Sequence, residues 1–426
     1  MPRMVAPAGF VLLLLTATLF AAAAPATPSV AANDTPYVRL IARAVLPADS
    51  FAAGPPTGFA ITGNTNGRTV PFASHPVQGI SAVIPTWNGW LALSDNGYGA
   101  RGNSADYRLR WYAVGPDFNA GTVAVRGYTE LSDPARLVPF PIVNAASDRV
   151  LTGADFDPES FRQAPDGTFW IGEEFGPYLL HVDAQGRLID PPIATPVPAP
   201  LRPFARGLTI VRSPEHPDLL GLPDADARRA AANLPSSRGF EGMALNSSGT
   251  RLYPMLEGAL TDDPVRTRLL LQEFDLATEA YTGRFWFYPM EAAGNAIGDL
   301  TAVNDDQFLV IERDGGEGPT ARFKRIYLID LRAVGEGGVL QKTLLADLMQ
   351  IDDPEGITTT EEGAIGLGDV FKFPFVTIES VYPVGARTLL VINDNNYPFS
   401  SGRRPGRAPD DNEFILIRLP EALDLE

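Results

Sequence analysis

Short apolar runs recur along the chain, each bounded by Gly, Asn, Asp or Ser, and five groups of them follow one plan. A first run meets a tight turn, a second run follows, and a polar cluster rich in carboxylates and amides ends the unit. The first unit starts at Val77-Gln78-Gly79-Ile80-Ser81, turns at Asn88-Gly89, runs through residues 90–93 and ends in Ser94-Asp95-Asn96-Gly97. The second starts at Asp157-Pro158-Glu159-Ser160, turns at Asp166-Gly167 and ends in Glu173-Glu174-Phe175-Gly176. The third starts at Gly239-Phe240-Glu241-Gly242-Met243, turns at Ser248-Gly249 and ends in Leu256-Glu257-Gly258. The fourth runs from Gly298-Asp299 to Glu312-Arg313-Asp314-Gly315, and the fifth from Ile378-Glu379 to Asn393-Asp394-Asn395-Asn396. A further β run follows each cluster, at residues 107–114, 178–182, 268–274, 325–331 and 413–419.

Runs joined by tight turns in this way predict small antiparallel sheets. Repetition at a long period predicts their radial stacking, because a ring of sheets protects edges that a row of them leaves open. The expectation is an all-β chain folded as a β-propeller, with a flat sandwich as the alternative. Corresponding acids stand as far apart as Glu159 and Glu241, more than the about 40 to 50 residues that a blade needs. Insertions or degenerate units must fill the difference. Residues 39–70 and 347–375 read as such extra units and bring the expected count to six blades. The largest insertion, about residues 191–235, holds Pro196, Pro198, Pro200 and Pro203 and then an Ala/Arg helical pattern from Asp224 to Asn233. Proline at that density is excluded from central strands, so this stretch reads as a rim loop with one short helix.

The N-terminal pattern differs: Arg3, an apolar run over residues 10–20, then small residues up to Ala32. This is the anatomy of a signal peptide over residues 1–32, cut between Ala24 and Ala32, ahead of a domain spanning 35–426. The run is too short to cross about 30 Å of hydrocarbon as a helix, although a retained anchor is the other reading. With no Cys, a lipidated cysteine and a disulfide framework are both excluded. The expectation is a periplasmic or secreted protein without stable membrane insertion. The net charge is −17, and loss of Arg3, the leader's one charged residue, deepens it to −18. Nucleic acid and anionic membranes are therefore unsuitable partners. Gly 40 and Pro 39 agree with a chain built on turns.

Candidate chemistry sits at the ends of the repeats. Glu159 and Glu173 or Glu174, Glu241 and Glu257, and Glu379 and Asp394 lie 14 to 16 positions apart, with Asp299 and Glu312 slightly closer. A hairpin returns both members to the same end of its sheet, so several blades bring carboxylates together. Crowded carboxylates repel unless protons or a cation neutralise them, and calcium takes six to eight oxygen ligands. The candidate ligands are Glu159, Glu173, Glu174, Glu241, Glu257, Glu312 and Asp394, with Asn96, Asn393, Asn395 and Asn396 as neutral oxygen donors. The alternative is that these side chains only close turns. Arg238, Arg313, Arg403, Arg404 and Arg407 stand nearby, and a guanidinium fork grips anionic groups. Arg313, inside Glu312-Arg313-Asp314, is the foremost of them, though each Arg also has an acidic neighbour to pair with. The chain has no Gly-x-Ser-x-Gly elbow and only His75, His181 and His216; His181 reads as a strand residue and His216 as a loop residue. Metal-assisted attack by water is the hydrolytic route that remains.

Asp157-Pro158-Glu159-Ser160, followed by Asp166-Gly167-Thr168-Phe169-Trp170-Ile171-Gly172-Glu173-Glu174-Phe175-Gly176-Pro177, resembles the signature of the phytase-like family, known for "esterase-like activity of phytase". Gly239-Phe240-Glu241-Gly242-Met243 and Asn393-Asp394-Asn395-Asn396 extend the resemblance over most of the chain. It implies an exported β-propeller that hydrolyses phosphoesters or carboxylic esters. The chain departs from calcium-dependent propeller phytases in lacking their Asp-Ala-Ala-Asp-Asp-Pro stretch, and it has only three lysines, Lys324, Lys342 and Lys372. Both departures argue against phytate as substrate. The expectation is a calcium-assisted hydrolase of a small anionic or ester substrate, with Glu174, Glu241 and Arg313 catalytic and Arg238 and Arg313 gripping the substrate. A calcium-dependent propeller lactonase and a non-catalytic binding propeller are the alternatives.

Overall fold

A computed structural model of the chain describes residues 38–425, so the leader expected over 1–32 lies outside them. The described chain folds into five four-stranded antiparallel blades, three of them separate sheets and two joined through a single parallel bridge between Val45 and Thr122. Blade one comprises Ile80–Thr86, Gly89–Ser94, Arg110–Asp117 and Thr122–Glu130. Blade two comprises Pro158–Gln163, Phe169–Glu173, Tyr178–Val182 and Ile193–Ala194, and blade three Phe240–Leu245, Arg251–Leu256, Arg268–Asp275 and Ala280–Pro289. Blade four comprises Ala296–Ala302, Gln307–Arg313, Lys324–Asp330 and Lys342–Asp347. Blade five takes Ser380–Gly385, Thr388–Ile392 and Asn412–Arg418 from one end of the described chain and Arg39–Leu46 from the other.

The first strands of the five blades form a closed ring in chain order, each touching the next and the fifth touching the first. Their burial explains the sequence pattern. Pro158–Gln163 and Phe240–Leu245 are covered on both faces and are buried almost throughout. The outer strand Thr122–Glu130 alternates between covered and open positions. Strands buried on both sides need no alternation; half-buried ones do. The apolar core is divided into layers, one between each pair of neighbouring blades, and the last of these unites Leu390, Ile392 and Phe414 of blade five with Val83, Ala92 and Tyr112 of blade one.

The expected propeller is therefore present, but with five blades among the described residues where six were expected. Residues 39–70 do not form a blade: Arg39–Leu46 pairs antiparallel with Asn412–Arg418 and closes the ring. Residues 347–375 contribute only a short ribbon, Ile351–Asp352 with Val370–Phe371, against the same edge. Ring closure accounts for both. A strand lent across the seam joins the two ends of the described chain in one sheet and removes the edges that each would otherwise expose.

The Pro-rich insertion forms 3₁₀ turns at Ala199–Phe204 and Pro217–Leu219 and the helix Ala225–Ala231, whose N-cap Asp224 accepts the Ala227 N–H at 2.8 Å. Val197, Leu201, Ala205, Val211 and Leu234 pack into the layer between blades two and three. The loop segments of the insertion thus belong to the core, while its helix buries no residue.

Candidate functional site

Four of the first strands carry a β-bulge near their start, and the bulged residue is Ser81, Glu159, Glu241 or Gly298. A bulge sets two residues against one on the partner strand and re-aims the extra side chain. At the facing end of each hairpin, the residue just past the second strand lies beside the bulge. These residues are Asp95, Glu174 and Glu257, whose N–H groups bond to Gly79 O, Asp157 O and Gly239 O at 3.0, 2.9 and 2.8 Å. Arg313 and Asp394 hold the corresponding positions in blades four and five. Gly239 lets blade three pass close to blade two, since a Cβ there would lie 2.4 Å from Glu174 Cα.

These positions converge on one cavity of about 270 Å³, lined by Asp95, Asp157, Glu159, Glu174, Glu241, Glu257, Glu379 and Asp394 against two cations, Arg238 and Arg313. All eight carboxylates are buried. Arg313 Nη2 lies 3.4 Å from an oxygen of each of Glu241, Glu257 and Glu379, and Arg238 pairs with Glu257. Oxygens of Asp157, Glu159 and Glu174 fall within 4.8 Å of one another, as do oxygens of Glu174, Glu241 and Glu257. Glu174 Oε1 is buried with no hydrogen-bond partner.

Burial, compounded by like-charged neighbours, raises Asp157, Glu159, Glu174, Glu241 and Glu379 well above the usual carboxylate range. The same burial pushes Asp95 up to about 6 and Asp394 up to about 7. Arg313 is raised too, but for the opposite reason: burial works to lower it, and Glu257, Glu241 and Glu379 outweigh burial and hold it charged. Without another cation, this cluster holds protons.

Glu159, Glu174, Glu241, Glu257 and Asp394, acids singled out by their hairpin spacing, line the cavity together with Arg238 and Arg313. Glu173 and Glu312 do not, although both were candidate ligands. Glu173 accepts the N–H groups of Phe175, Gly176 and Tyr178 at 2.9, 2.6 and 2.8 Å and braces the turn that presents Glu174. Glu312 bonds to Tyr288 Oη, Glu291 N, Asn295 Nδ2 and Lys342 Nζ. Each precedes the inward-facing residue by one position, and adjacent strand residues face opposite ways.

Asp299 is one residue out for the same reason: the bulge falls on Gly298, and Asp299 turns to Arg162 Nη2 at 3.0 Å and the Val381 N–H at 2.9 Å. Because Arg162 is in blade two and Asp299 in blade four, this pair spans the propeller axis. Asn96 and Asn396 line the cavity, while Asn393 and Asn395 bond backbone around Glu413 and Asp410. Arg403 and Arg404 pair with Glu413 and Glu361, and Arg407 lies near Glu362. His181, in its strand, bonds Asp190 and Thr168, and His216 caps a 3₁₀ turn. Asp95, Asp157 and Glu379 were absent from the predicted ligand set. Each sits inside a quoted repeat, and Glu379 shares the hairpin spacing of Glu159 and Glu241.

Comparison with known proteins is consistent with this picture. A family model described as phytase-like, "esterase-like activity of phytase", matches residues 75–397. A relative from Arthroderma benhamiae described as an uncharacterized secreted protein is 23% identical over 186 residues, covering 39% of this chain. The match spans 36% of that relative's length. Among solved structures, an exo-β-1,3-galactanase from Clostridium thermocellum aligns at TM-score 0.41 and 10% identity, covering 89% of this chain and 65% of that one. A luciferin-regenerating enzyme aligns at TM-score 0.34 and 9% identity over 81% of this chain and 80% of that one. No helix among the described residues is long and apolar enough to cross a membrane. With the family model spanning the inner hairpins of all five blades, the chain belongs to the phytase-like family, described by its esterase-like activity of phytase.

Proposed function

We propose that this chain is an exported, calcium-assisted hydrolase of phosphoesters or carboxylic esters, acting in the axial cavity on a small substrate with an anionic or ester group. One observation carries the reading: Asp95, Asp157, Glu159, Glu174 and Asp394 converge with no salt bridge among the described residues, and Glu174 Oε1 is buried and unbonded. The donors are all oxygens, and those of Asp157, Glu159 and Glu174, within 4.8 Å of one another, match ligands placed about 2.4 Å from one ion. Asp157, Glu159 and Glu174 would hold the ion, with Asp95 and Asp394 alongside. When bound, calcium supplies charge neutralisation and polarises a phosphoryl or carbonyl oxygen.

The chain's own groups divide the remaining work. Glu174 would hold the ion through one oxygen and accept a proton from the attacking water on the other. Glu241, on which burial and Glu257 favour the protonated form, returns a proton to the leaving oxygen. Arg313 and the partly open Arg238 orient the anionic group. Burial of the cavity strengthens each of these electrostatic contacts.

The test uses mature chain stripped with chelator, assayed for melting temperature and for hydrolysis of aryl phosphate, aryl ester and lactone with and without calcium. A calcium-dependent rise in both stability and one activity is expected, and the responsive substrate names the class. Stabilisation without turnover on any substrate would make this a binding propeller, and no calcium response would remove the metal from the reading.

A further inference from the structure

The two halves of the cavity differ in where positive charge already sits. In one half, Arg313 Nη2 is shared by Glu241, Glu257 and Glu379, and Arg238 adds a second guanidinium at Glu257. In the other half, Asp95, Asp157, Glu159 and Asp394 form no salt bridge among the described residues, whereas those around Arg313 do. Glu174 stands at the boundary, within 4.8 Å of Asp157 and Glu159 on one side and of Glu241 and Glu257 on the other. Its Oε1 points to a missing partner, being buried and unbonded in a residue only 5% exposed.

Blade four creates the asymmetry. The other four blades place a carboxylate, Asp95, Glu174, Glu257 or Asp394, at the end of the hairpin that faces the axis; blade four places Arg313 at the corresponding position. At the bulge it has Gly298, where a Cβ would lie 1.9 Å from Ile378 O, so no acidic side chain fits from that position. A guanidinium is always charged and is tethered by its own backbone, so it neutralises acids without exchanging with solvent ions. A divalent ion brought to Glu241 and Glu257 would meet that charge at contact distance in a poorly screened site.

We propose that Arg313 is a built-in cation standing where a second metal ion would otherwise bind, so that the cavity takes up one divalent ion, on the Asp157, Glu159 and Glu174 side. This rests on the metal-site reading above. Its consequence is a site that never loses all of its positive charge: chelation empties one half and leaves the other neutralised.

The experiment counts Ca²⁺ alone on the stripped mature chain, by equilibrium dialysis with elemental analysis. The parent and Arg313→Lys are expected to bind one equivalent, and Arg313→Gln two. Arg313→Gln should also melt lower than the parent without metal and recover when Ca²⁺ is added. Placement is tested separately, because Glu159→Gln should lose the parent's ion and Glu241→Gln should keep it. That pair of variants decides the matter if Arg313→Gln fails to fold. A parent binding two ions, a folded Arg313→Gln that stays at one, or loss of the ion in Glu241→Gln with retention in Glu159→Gln would overturn the inference while leaving a metal site standing. A parent that binds no Ca²⁺ would overturn the metal-site reading itself.

Discussion

The axial cavity and the ring seam both bury carboxylates, and they treat them in opposite ways. At the seam, Glu413 is fully buried and receives four bonds, from Arg43 Nε and Nη2 at 2.8 Å each and from Arg403 Nε and Nη2 at 2.8 and 2.9 Å. Burial alone would raise its pKa, but Arg403 and Arg43 outweigh burial and hold it down to about 2. In the cavity, eight carboxylates share two guanidinium groups, and burial raises most of them. Burial therefore does not decide whether a carboxylate is ionised; the supply of fixed counter-charge does. A structural acid is saturated by the fold, and acids left unsaturated are available for an ion, a proton or a substrate.

That contrast can be broken most severely at the seam. Glu413→Gln strands two guanidinium groups, one of them nearly inaccessible, and should lower stability by about 3–5 kcal/mol. Denaturant unfolding measures this, and the folded fraction should keep its hydrolytic activity. Glu173→Gln should be next, losing about 1–3 kcal/mol by turning an amide toward backbone donors that need an acceptor. Turnover should fall with it, because that turn presents Glu174.

Titration sharpens the comparison further, since the two regions respond to acid with opposite sign. Asp95 and Asp394 have raised folded-state values, about 6 and about 7, against 3.8 for the free group. Their contribution is complete below pH 3.8 and is lost as pH climbs through 6 and 7, so the metal-free protein should gain stability as pH falls from 8 to 5. Each group can supply at most about 1.4 kcal/mol per pH unit in that window. Glu413 is depressed from 4.5 to about 2, so its contribution is present above pH 4.5 and disappears as pH falls toward 2. Melting curves in chelator across this range should pass through a maximum, and calcium should weaken the gain on mild acidification, because a bound cation favours ionised ligands.

Glu174→Gln should change stability least. It replaces a carboxyl whose burial favours the uncharged, protonated form with a neutral amide of the same shape, so the metal-free chain should shift by less than about 1 kcal/mol in either direction. Hydrolysis should nevertheless fall by about 10²–10⁴-fold. A large loss of stability with retained turnover would place Glu174 among the structural acids with Glu413.

Much of this architecture was legible in the order of residues. Turn pairs such as Asp166-Gly167 and the runs that flank them marked three strands in each blade, and the acids at the hairpin ends marked the cavity. The fourth strands were less legible, because a half-exposed edge such as Thr122–Glu130 carries no terminal cluster and little continuous apolar character. The blade count went astray where the ends of the described chain share a sheet, since nothing local in residues 39–46 shows which strand they will join.

By itself, then, the sequence determined the repeat, the hairpins and the crowding of acids at one end of them, because each depends on neighbours a few residues apart. Tertiary structure decided the rest: which of Glu173 and Glu174 faces the axis, that Gly298 takes the bulge and turns Asp299 away, and that Arg313 meets acids from two other blades. A bulge moves a side chain across the sheet by a change of one residue in register. That register, and the ring that brings blade three to blade four and blade four to blade five, exist only when distant strands pair.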